Sequence, residues 1–162
     1  MTRLRARAVG GRRIQEATPG GHWKIMTILG AMSQNGIIAA MTIEEPTDGP
    51  IFLGYIEQVL CPALKPGDVV AMDNLSSHKV AGVRELIEAA GAEVLYLPPY
   101  SPELNPVENI WQFLRQNFLS NRVFVTYRDI VDACCDAWNA LMAMPDRIRS
   151  IASRDYAKAV NS

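Results

Sequence analysis

The sequence predicts an α/β domain that combines an antiparallel hairpin with a parallel β-α-β unit and gathers its helices toward the carboxyl terminus. Three features predict it: two strand-like stretches around a turn, a short apolar run after Pro66 and Gly67, and amphipathic stretches beyond residue 100. With 162 residues, 49% of them hydrophobic, the chain suits one domain with a sizeable core.

The first predicted elements are the hairpin and a helix. Residues 23–32 and 37–43 are strand-like and flank the turn residues Asn35 and Gly36, which favours an antiparallel pair. Apolar residues then recur at helical spacing over residues 50–62, which predicts an amphipathic helix.

The β-α-β unit follows. Residues 69–72 form a continuous apolar run, typical of a buried parallel strand, and residues 94–97 form the next strand. Between them, Ser76 or Ser77 is the expected cap of a helix, and Gly91 occupies the expected left-handed stop. This order makes the two strands parallel neighbours that end on the same edge.

Helices are predicted for the rest of the chain. Asn105 is the expected cap of the first, with Pro106 as its first residue. A second helix is expected to start near Thr126, and a shorter one after Pro145.

Composition bears on the class of protein. Apolar runs are all shorter than the roughly 20 residues that cross a bilayer, and no signal-peptide core follows the basic amino terminus. The three cysteines, Cys61, Cys134 and Cys135, lack zinc-ligand spacing, and their odd number argues against a disulfide framework. We expect a reduced, cytoplasmic protein.

Two acidic residues are expected at the edge where the parallel strands end. Asp73 directly follows the run 69–72, at the edge where open α/β sheets bind ligands. The loop 98–105 leaves the neighbouring strand on that edge and leads to a helix with Glu108 in its first turn. Two converging carboxylates, with no His or Cys set beside them, favour magnesium or manganese. In nucleases and polymerases such carboxylates hold ions that promote displacement at phosphorus.

Each acid also has a purely structural interpretation. Asn105 and Glu108 have the spacing of a capping box, in which the acid bonds back to the cap residue. Asp73 is equally a turn former at the end of a strand. The residues alone leave both alternatives open.

The amino-terminal segment is basic. A DNA-contacting arm and a solvated tail are both compatible with this charge, and the residues do not decide between them. Against Glu16 alone, the first 24 residues carry six positive charges, on Arg3, Arg5, Arg7, Arg12, Arg13 and Lys24.

Two stretches, "VVAMDNLSSHK" and "LYLPPYSPELNPVENIWQFLR", resemble the insertion-sequence branch of the mariner-like DDE transposases. A looser similarity runs from "GGHWKIMTILGAMSQNGIIAA" to "RIRSIASRDY". The resemblance implies a ribonuclease H-like mixed sheet in which three acids bind two divalent ions. Asp73 would be the second acid and Glu108 the third, and the 34 residues between them match the separation typical of this group.

The resemblance also implies neighbours and partners for these acids. Asn74 and His78 would flank the second acid, although His78 is otherwise an ordinary residue in the first turn of a helix. The partners implied are double-stranded DNA at element ends and at the target, and the cofactors are Mg²⁺ or Mn²⁺, two ions in a complete enzyme. The loop "PPYSPELNP" would shape the site and approach DNA, through Tyr100, Ser101, Pro102 and Asn105.

One family feature is missing from the sequence. The family's first aspartate lies on a strand before the hairpin, whereas the first aspartate here is Asp48, in a polar connector after it. We therefore expect a basic arm over residues 1–21 and a partial catalytic domain over 22–162, without the first strand or a helix-turn-helix module. Such a chain should be inactive alone and should expose a sheet edge that favours a homodimer.

Other functions remain as alternatives. The chain is either a transposase catalytic-core fragment or a non-catalytic remnant that binds DNA or another protein. An unrelated metal-dependent phosphohydrolase built around Asp73 is a third interpretation, which the loop 98–108 disfavours.

Overall fold

The computed structural model describes residues 25–33, 36–120 and 122–153, and it confirms the predicted mixture of strands and helices. The strands are β1 Thr27–Ser33, β2 Gly36–Ile43, β3 Val69–Met72 and β4 Glu93–Tyr96. The α-helices are α1 Gly49–Tyr55, α2 Val83–Ala89, α3 Pro106–Leu114, α4 Tyr127–Met142 and α5 Pro145–Ala152. Within these ranges no helix is both long enough and apolar enough to cross a membrane.

Strands β1 and β2 form the predicted antiparallel hairpin. Thr27 lies opposite Ile43, and the register shifts between Ala31 and Met32. The prediction began the first strand at residue 23, and residues 23 and 24 lie outside the described part of the chain.

Helix α1 begins at a capped end, as the sequence pattern over residues 50–62 predicts. The Asp48 carboxylate accepts a hydrogen bond from the backbone N–H of Ile51 at 3.0 Å. The helix then widens into a π-helical turn over Ile56–Leu60 and closes with a 3₁₀ turn over Cys61–Ala63. The predicted helix is therefore confirmed in place, with an end that is not regular α-helix.

Strands β3 and β4 form the predicted parallel pair. Val69 lies opposite Glu93, and the backbone N–H of Leu97 donates to the carbonyl of Met72 at 2.8 Å just beyond the last pair. Helix α2 connects the strands, and Gly91 after it has φ +84°, the left-handed stop that the sequence predicts. Both strands therefore end on one edge.

The predicted start of α2 was wrong. Residues Ser76–Lys79 form a separate 3₁₀ turn, and α2 begins only at Val83. The break lies at Gly82, whose φ of +97° does not continue a right-handed helix. The Glu85 carboxylate accepts the Gly82 N–H at 2.9 Å and so caps the new start.

Among the described residues, strand β3 is covered on one face only, which corrects the expectation of a buried strand. Val70 and Val94 belong to the face that packs into the core. On the opposite face, Val69 remains 46% exposed and Leu95 52% exposed. The continuous apolar run over residues 69–72 therefore did not mean that both faces of the strand are buried.

The hairpin and the parallel pair are each two-stranded. Within the described residues no ladder hydrogen bonds join one pair to the other. Because a two-stranded sheet alone is only marginally stable, each pair depends on the helices packed against it.

The interior consists of two apolar clusters. The first lies around α1 and α2 and contains the fully buried Ile56, Val83 and Ile87. The second lies among α3, α4 and α5, and its fully buried members are Ile110, Leu141 and Ile148.

The hairpin packs against both clusters. Leu29 and Met41 contact the first cluster, whereas Met32 and Ile37 contact the second. Because successive side chains of a strand point to opposite faces, one hairpin can serve two cores.

The carboxyl-terminal helices start where the sequence predicts. Thr126 caps α4: its hydroxyl accepts the Asp129 N–H at 3.2 Å, and the Asp129 carboxylate accepts the Thr126 N–H at 2.8 Å. Hydrogen bonding to the Asp129 carboxylate by the Thr126 N–H, and next by the Thr126 side chain, lowers the pKa of Asp129 below its ordinary value. Pro145 opens α5, again as predicted.

Candidate metal-binding site

Asp73 follows the last residue of β3, at the edge where both parallel strands end. Its Oδ1 accepts the backbone N–H of Leu75 at 3.3 Å, so the residue does shape the turn after the strand. Its Oδ2 accepts no hydrogen bond from a described residue, and the side chain is 37% exposed. The turn therefore occupies one carboxylate oxygen and leaves the other available to a ligand.

His78 lies against Asp73. Its Nδ1 is 2.6 Å from Oδ1 of the Asp73 carboxylate, and its ring stacks on Phe52 of α1 with the ring centres 4.1 Å apart. Nδ1 is buried and makes no hydrogen bond of ordinary angle with any described residue, so the carboxylate is a close polar contact. The hydroxyl of Tyr96 also donates to the His78 carbonyl at 3.0 Å.

Asn74 joins the two strand ends. Its side-chain amide donates to the carbonyl of Leu97, directly after β4. The loop 98–105 starts at that point, so Asn74 fixes the start of this loop beside Asp73. Of the two predicted neighbours, His78 therefore contacts Asp73, whereas the Asn74 side chain contacts the end of β4.

The loop that follows is exposed at its tip. Tyr100 is fully exposed and has φ +58°, a left-handed conformation that is uncommon for a tyrosine. The Ser101 hydroxyl donates to the Pro99 carbonyl at 3.3 Å, and Pro102–Leu104 form a 3₁₀ turn. This turn leads directly into α3.

Glu108 lies in the first turn of α3, but it does not cap the helix. Asn105 is the cap, because its Oδ1 accepts the Val107 N–H at 3.2 Å. The N–H of Asn105, which a capping box would offer to the acid, donates instead to the Pro102 carbonyl at 3.0 Å. Glu108 is exposed, and its carboxylate makes no hydrogen bond or ion pair with another described residue, while its backbone N–H donates to the Asn105 carbonyl at 3.1 Å.

The chemistry of the two predicted acids suits a hard cation, because Oδ2 of Asp73 and the carboxylate of Glu108 make no hydrogen bond or ion pair with a described residue. Within the described part of the chain no group of three or more His, Cys, Asp or Glu side chains lies close enough to hold a metal ion. Hard divalent cations take six or more oxygen ligands, so other groups would have to complete the shell.

Residues 1–131, most of the chain, match the DDE superfamily endonuclease family. The chain belongs to this family. Among curated relatives, an uncharacterized protein of Sinorhizobium fredii is 59% identical over 64 residues, covering 40% of this chain and 47% of that protein. The transposable element Tc3 transposase of Caenorhabditis elegans is 30% identical over 70 residues, covering 43% of this chain and 21% of that protein. The chain spans under half the length of these two relatives.

The DDE family fold is confirmed by solved structures of Mos1 transposase. The Mos1 strand transfer complex superposes with a TM-score of 0.64 at 20% identity, covering 96% of this chain and 51% of that one. A Mos1 catalytic domain with Raltegravir and Mg gives 0.58 at 18% identity, covering 80% and 76%. At these identities the likeness concerns the fold, which is ribonuclease H-like.

The basic amino-terminal residues are the remaining part of the predicted site in this DDE family chain. The candidate DNA-binding residues lie outside the described part of the chain: Arg3, Arg5, Arg7, Arg12, Arg13 and Lys24. Their role stays a prediction.

Sequence reasoning missed two aromatic residues that contact His78, the neighbour of Asp73. Phe52 supports the His78 ring, and Tyr96 bonds its backbone. Lys79 and Arg84 each place their charge 5.5 Å from the centre of the Tyr96 ring. Phe52 lies in a predicted helix and Tyr96 in a predicted strand, and neither position has a local pattern that indicates a site.

Proposed function

We propose that this chain forms part of a transposase catalytic core, in which Asp73 and Glu108 bind divalent metal ions and the substrate is DNA. The observation that supports the proposal is the state of the two carboxylates. The Asn105 N–H is already bonded to Pro102, so Glu108 has no capping role, and the Asp73 turn uses only Oδ1.

The donor chemistry favours magnesium or manganese. Carboxylate oxygens are the ligands that these ions prefer. When bound, the ions activate an attacking oxygen and stabilise the leaving oxygen at phosphorus. The chain itself would hold Asp73 through the Leu75 N–H and would fix the loop toward Glu108 through Asn74. Solved Mos1 structures with Mn and with Mg lend support from the same family.

The parent reaction would be cleavage of DNA at element ends and strand transfer to a target. Two carboxylates are fewer than the three acids of the family pattern, and the described residues contain no third close to them. We therefore infer that this chain by itself binds metal weakly and has little activity. The ion number in a complete site, two in our proposal, follows from the family pattern.

DNA binding and self-association belong to the same proposal. The basic residues at positions 3–24 would contact DNA phosphates, and Mos1 structures solved as paired-end and strand transfer complexes support a DNA partner. The open face of the parallel pair, with Val69 and Leu95, would favour a homodimer. Sedimentation of Leu95→Lys against the unaltered chain tests this, and equal association states would contradict it.

A thermal-shift titration tests the metal site. Millimolar Mn²⁺ or Mg²⁺ should raise the melting temperature of the unaltered chain, and Asp73→Ala and Glu108→Ala should each abolish the rise. Glu103→Ala is the matched control, because Glu103 is an exposed acid of the same loop. No rise in the unaltered chain, or an equal rise in all variants, would rule the site out.

Two further assays separate activity from binding. A supercoiled-plasmid nicking assay should show little nicking by this chain, and robust nicking would contradict the inferred inactivity. DNA binding should weaken steeply with salt and should be lost when residues 1–13 are deleted. Salt-dependent binding that survives the deletion would place the DNA contact elsewhere.

A further inference from the structure

We propose that His78 is a positioning residue for Asp73: its Nδ1–H holds Oδ1 of the carboxylate and leaves Oδ2 as the oxygen available to a cation. This inference rests on the proposed function, because it assigns a role beside the same acid. It adds a residue to the site whose contribution is orientation and not ligation.

The distances support this division of the carboxylate. Oδ1 receives two contacts, His78 Nδ1 at 2.6 Å and the Leu75 N–H at 3.3 Å, while Oδ2 receives none from a described residue. Two contacts on one oxygen fix the rotation of the carboxylate about its last bond. Partners of this kind, which orient metal-binding side chains, typically change metal affinity by about 10–100-fold when they are removed.

The contact also decides which nitrogen of His78 carries a proton. An ionised carboxylate only accepts hydrogen bonds, so a favourable contact at 2.6 Å requires a proton on Nδ1. The angle at this contact is not that of an ordinary hydrogen bond, although the atoms are already close enough. Because the separation is already within hydrogen-bond range, alignment of the two groups requires no closer approach.

The surroundings hold the His78 ring in place. Phe52 supports one side of the ring, with the two planes inclined by 29°. The Tyr96 hydroxyl fixes the His78 carbonyl at 3.0 Å. Helix α1 and strand β4 therefore both restrain a residue of a short 3₁₀ turn.

The His78 side chain is more buried than is usual for a histidine in a turn. The His78 side chain is only 15% exposed, although it lies in a turn at the open edge of the sheet. A buried polar nitrogen is normally hydrogen-bonded, because its burial is otherwise unfavourable. The polar group within reach of Nδ1 is the Asp73 carboxylate.

Two substitutions separate the nitrogen from the ring. His78→Asn places an amide nitrogen at the position of Nδ1 but removes the ring. His78→Phe keeps a ring to stack on Phe52 but removes the nitrogen. The probe is Mn²⁺ alone, titrated into each metal-free protein and followed by the electron paramagnetic resonance signal of the free ion. Melting temperatures without metal report on folding.

If His78 positions Asp73 through its nitrogen, the two variants should differ in their affinity for Mn²⁺. His78→Asn should keep the Mn²⁺ dissociation constant within about threefold of the unaltered chain, while His78→Phe should raise it by about tenfold or more. Asp73→Asn should remove this binding. A second readout needs no metal: side-chain ¹⁵N spectra should show a proton on Nδ1 of His78, with a resonance that moves in Asp73→Asn.

The outcomes separate a failure of the His78 inference from a failure of the proposed metal site. If Asp73→Asn removes Mn²⁺ binding but His78→Phe binds like the unaltered chain, the inference fails and the proposed function stands. If Asp73→Asn leaves Mn²⁺ binding unchanged, the proposed function fails. In that case the ¹⁵N spectra still test the His78 contact, and a proton on Nε2 alone would contradict it. Equal weakening by His78→Asn and His78→Phe would indicate a role of the ring and overturn the inference.

Discussion

Trp111 of helix α3 packs so closely against Gly30 of strand β1 that a Cβ at position 30 would lie 3.1 Å from Cη2 of its ring. The Trp111 ring also stacks on Trp138 of α4, with ring centres 6.1 Å apart, which limits its freedom to move away. The hairpin and the carboxyl-terminal helices are therefore in contact through a position where only glycine fits without adjustment.

Gly30→Ala should destabilise the protein by about 1–3 kcal/mol, because the added methyl group overpacks this contact. Urea unfolding of both proteins measures the difference. Gly54→Ala is the control: a Cβ there meets nothing within 4 Å, so alanine in helix α1 should be neutral or stabilising. Equal stability of Gly30→Ala and the unaltered chain would contradict the close contact.

Removing the cap of α3 should cost more stability than truncating Glu108. Asn105→Ala should lower the free energy of unfolding by about 1 kcal/mol, because the Val107 N–H loses its acceptor. Glu108→Ala should lower it clearly less without metal, because the carboxylate bonds to no described residue. Asp129→Ala is the comparison, since Asp129 does complete a capping box and its loss should destabilise α4. A loss of stability in Glu108→Ala as large as that in Asp129→Ala would restore the capping-box interpretation.

Asn74→Ala should affect both stability and metal response. Loss of the hydrogen bond to the Leu97 carbonyl should cost about 0.5–1.5 kcal/mol and should release the start of the loop that leads to Glu108. The Mn²⁺-induced rise in melting temperature should shrink as a result. Asn117→Ala is the matched control, because Asn117 also donates to a backbone carbonyl, that of Phe113 at 2.8 Å. If both variants lose the same metal response, Asn74 has no special part in the site.

Tyr55 should make the protein sensitive to alkaline pH. Burial raises the pKa of Tyr55 to about 12, above the value of about 10 in an unfolded chain. The folded state thus holds this proton more tightly, so the associated stability is present below about pH 10 and is lost as pH rises toward 12. Urea unfolding at neutral pH and at about pH 11 should show a decline that Tyr55→Phe reduces and the exposed control Tyr100→Phe does not. An unchanged decline in Tyr55→Phe would assign it to other groups.

Local chemistry explains what the sequence predicted well. Asn105 and Thr126 are caps in the structure because their side chains bond within three residues, and Gly91 ends a helix because it adopts a positive φ. Such features depend on neighbours in the chain and leave a local pattern. The two strands around α2 were recognised for the same reason.

Features that depend on distant residues were not predictable. Whether Glu108 caps its helix was decided by the Pro102 carbonyl, which takes the Asn105 N–H through the shape of the preceding loop. The exposure of Val69 depends on which elements cover β3, and the composition of a strand does not specify them. The contact of His78 with Phe52 joins residues 26 positions apart and has no periodic signature.

The position of the hairpin between the two apolar clusters has a consequence for cooperativity. Because β1 and β2 have only each other as strand partners among the described residues, they stay folded only while both clusters support them. Opening of either cluster should therefore expose the hairpin amides to exchange. Their hydrogen exchange should then report the free energy of opening of the less stable cluster. Slower exchange in the hairpin than in both clusters would show that it is stable by itself. If the hairpin depends on both clusters, unfolding of one cluster spreads to the other through these two strands.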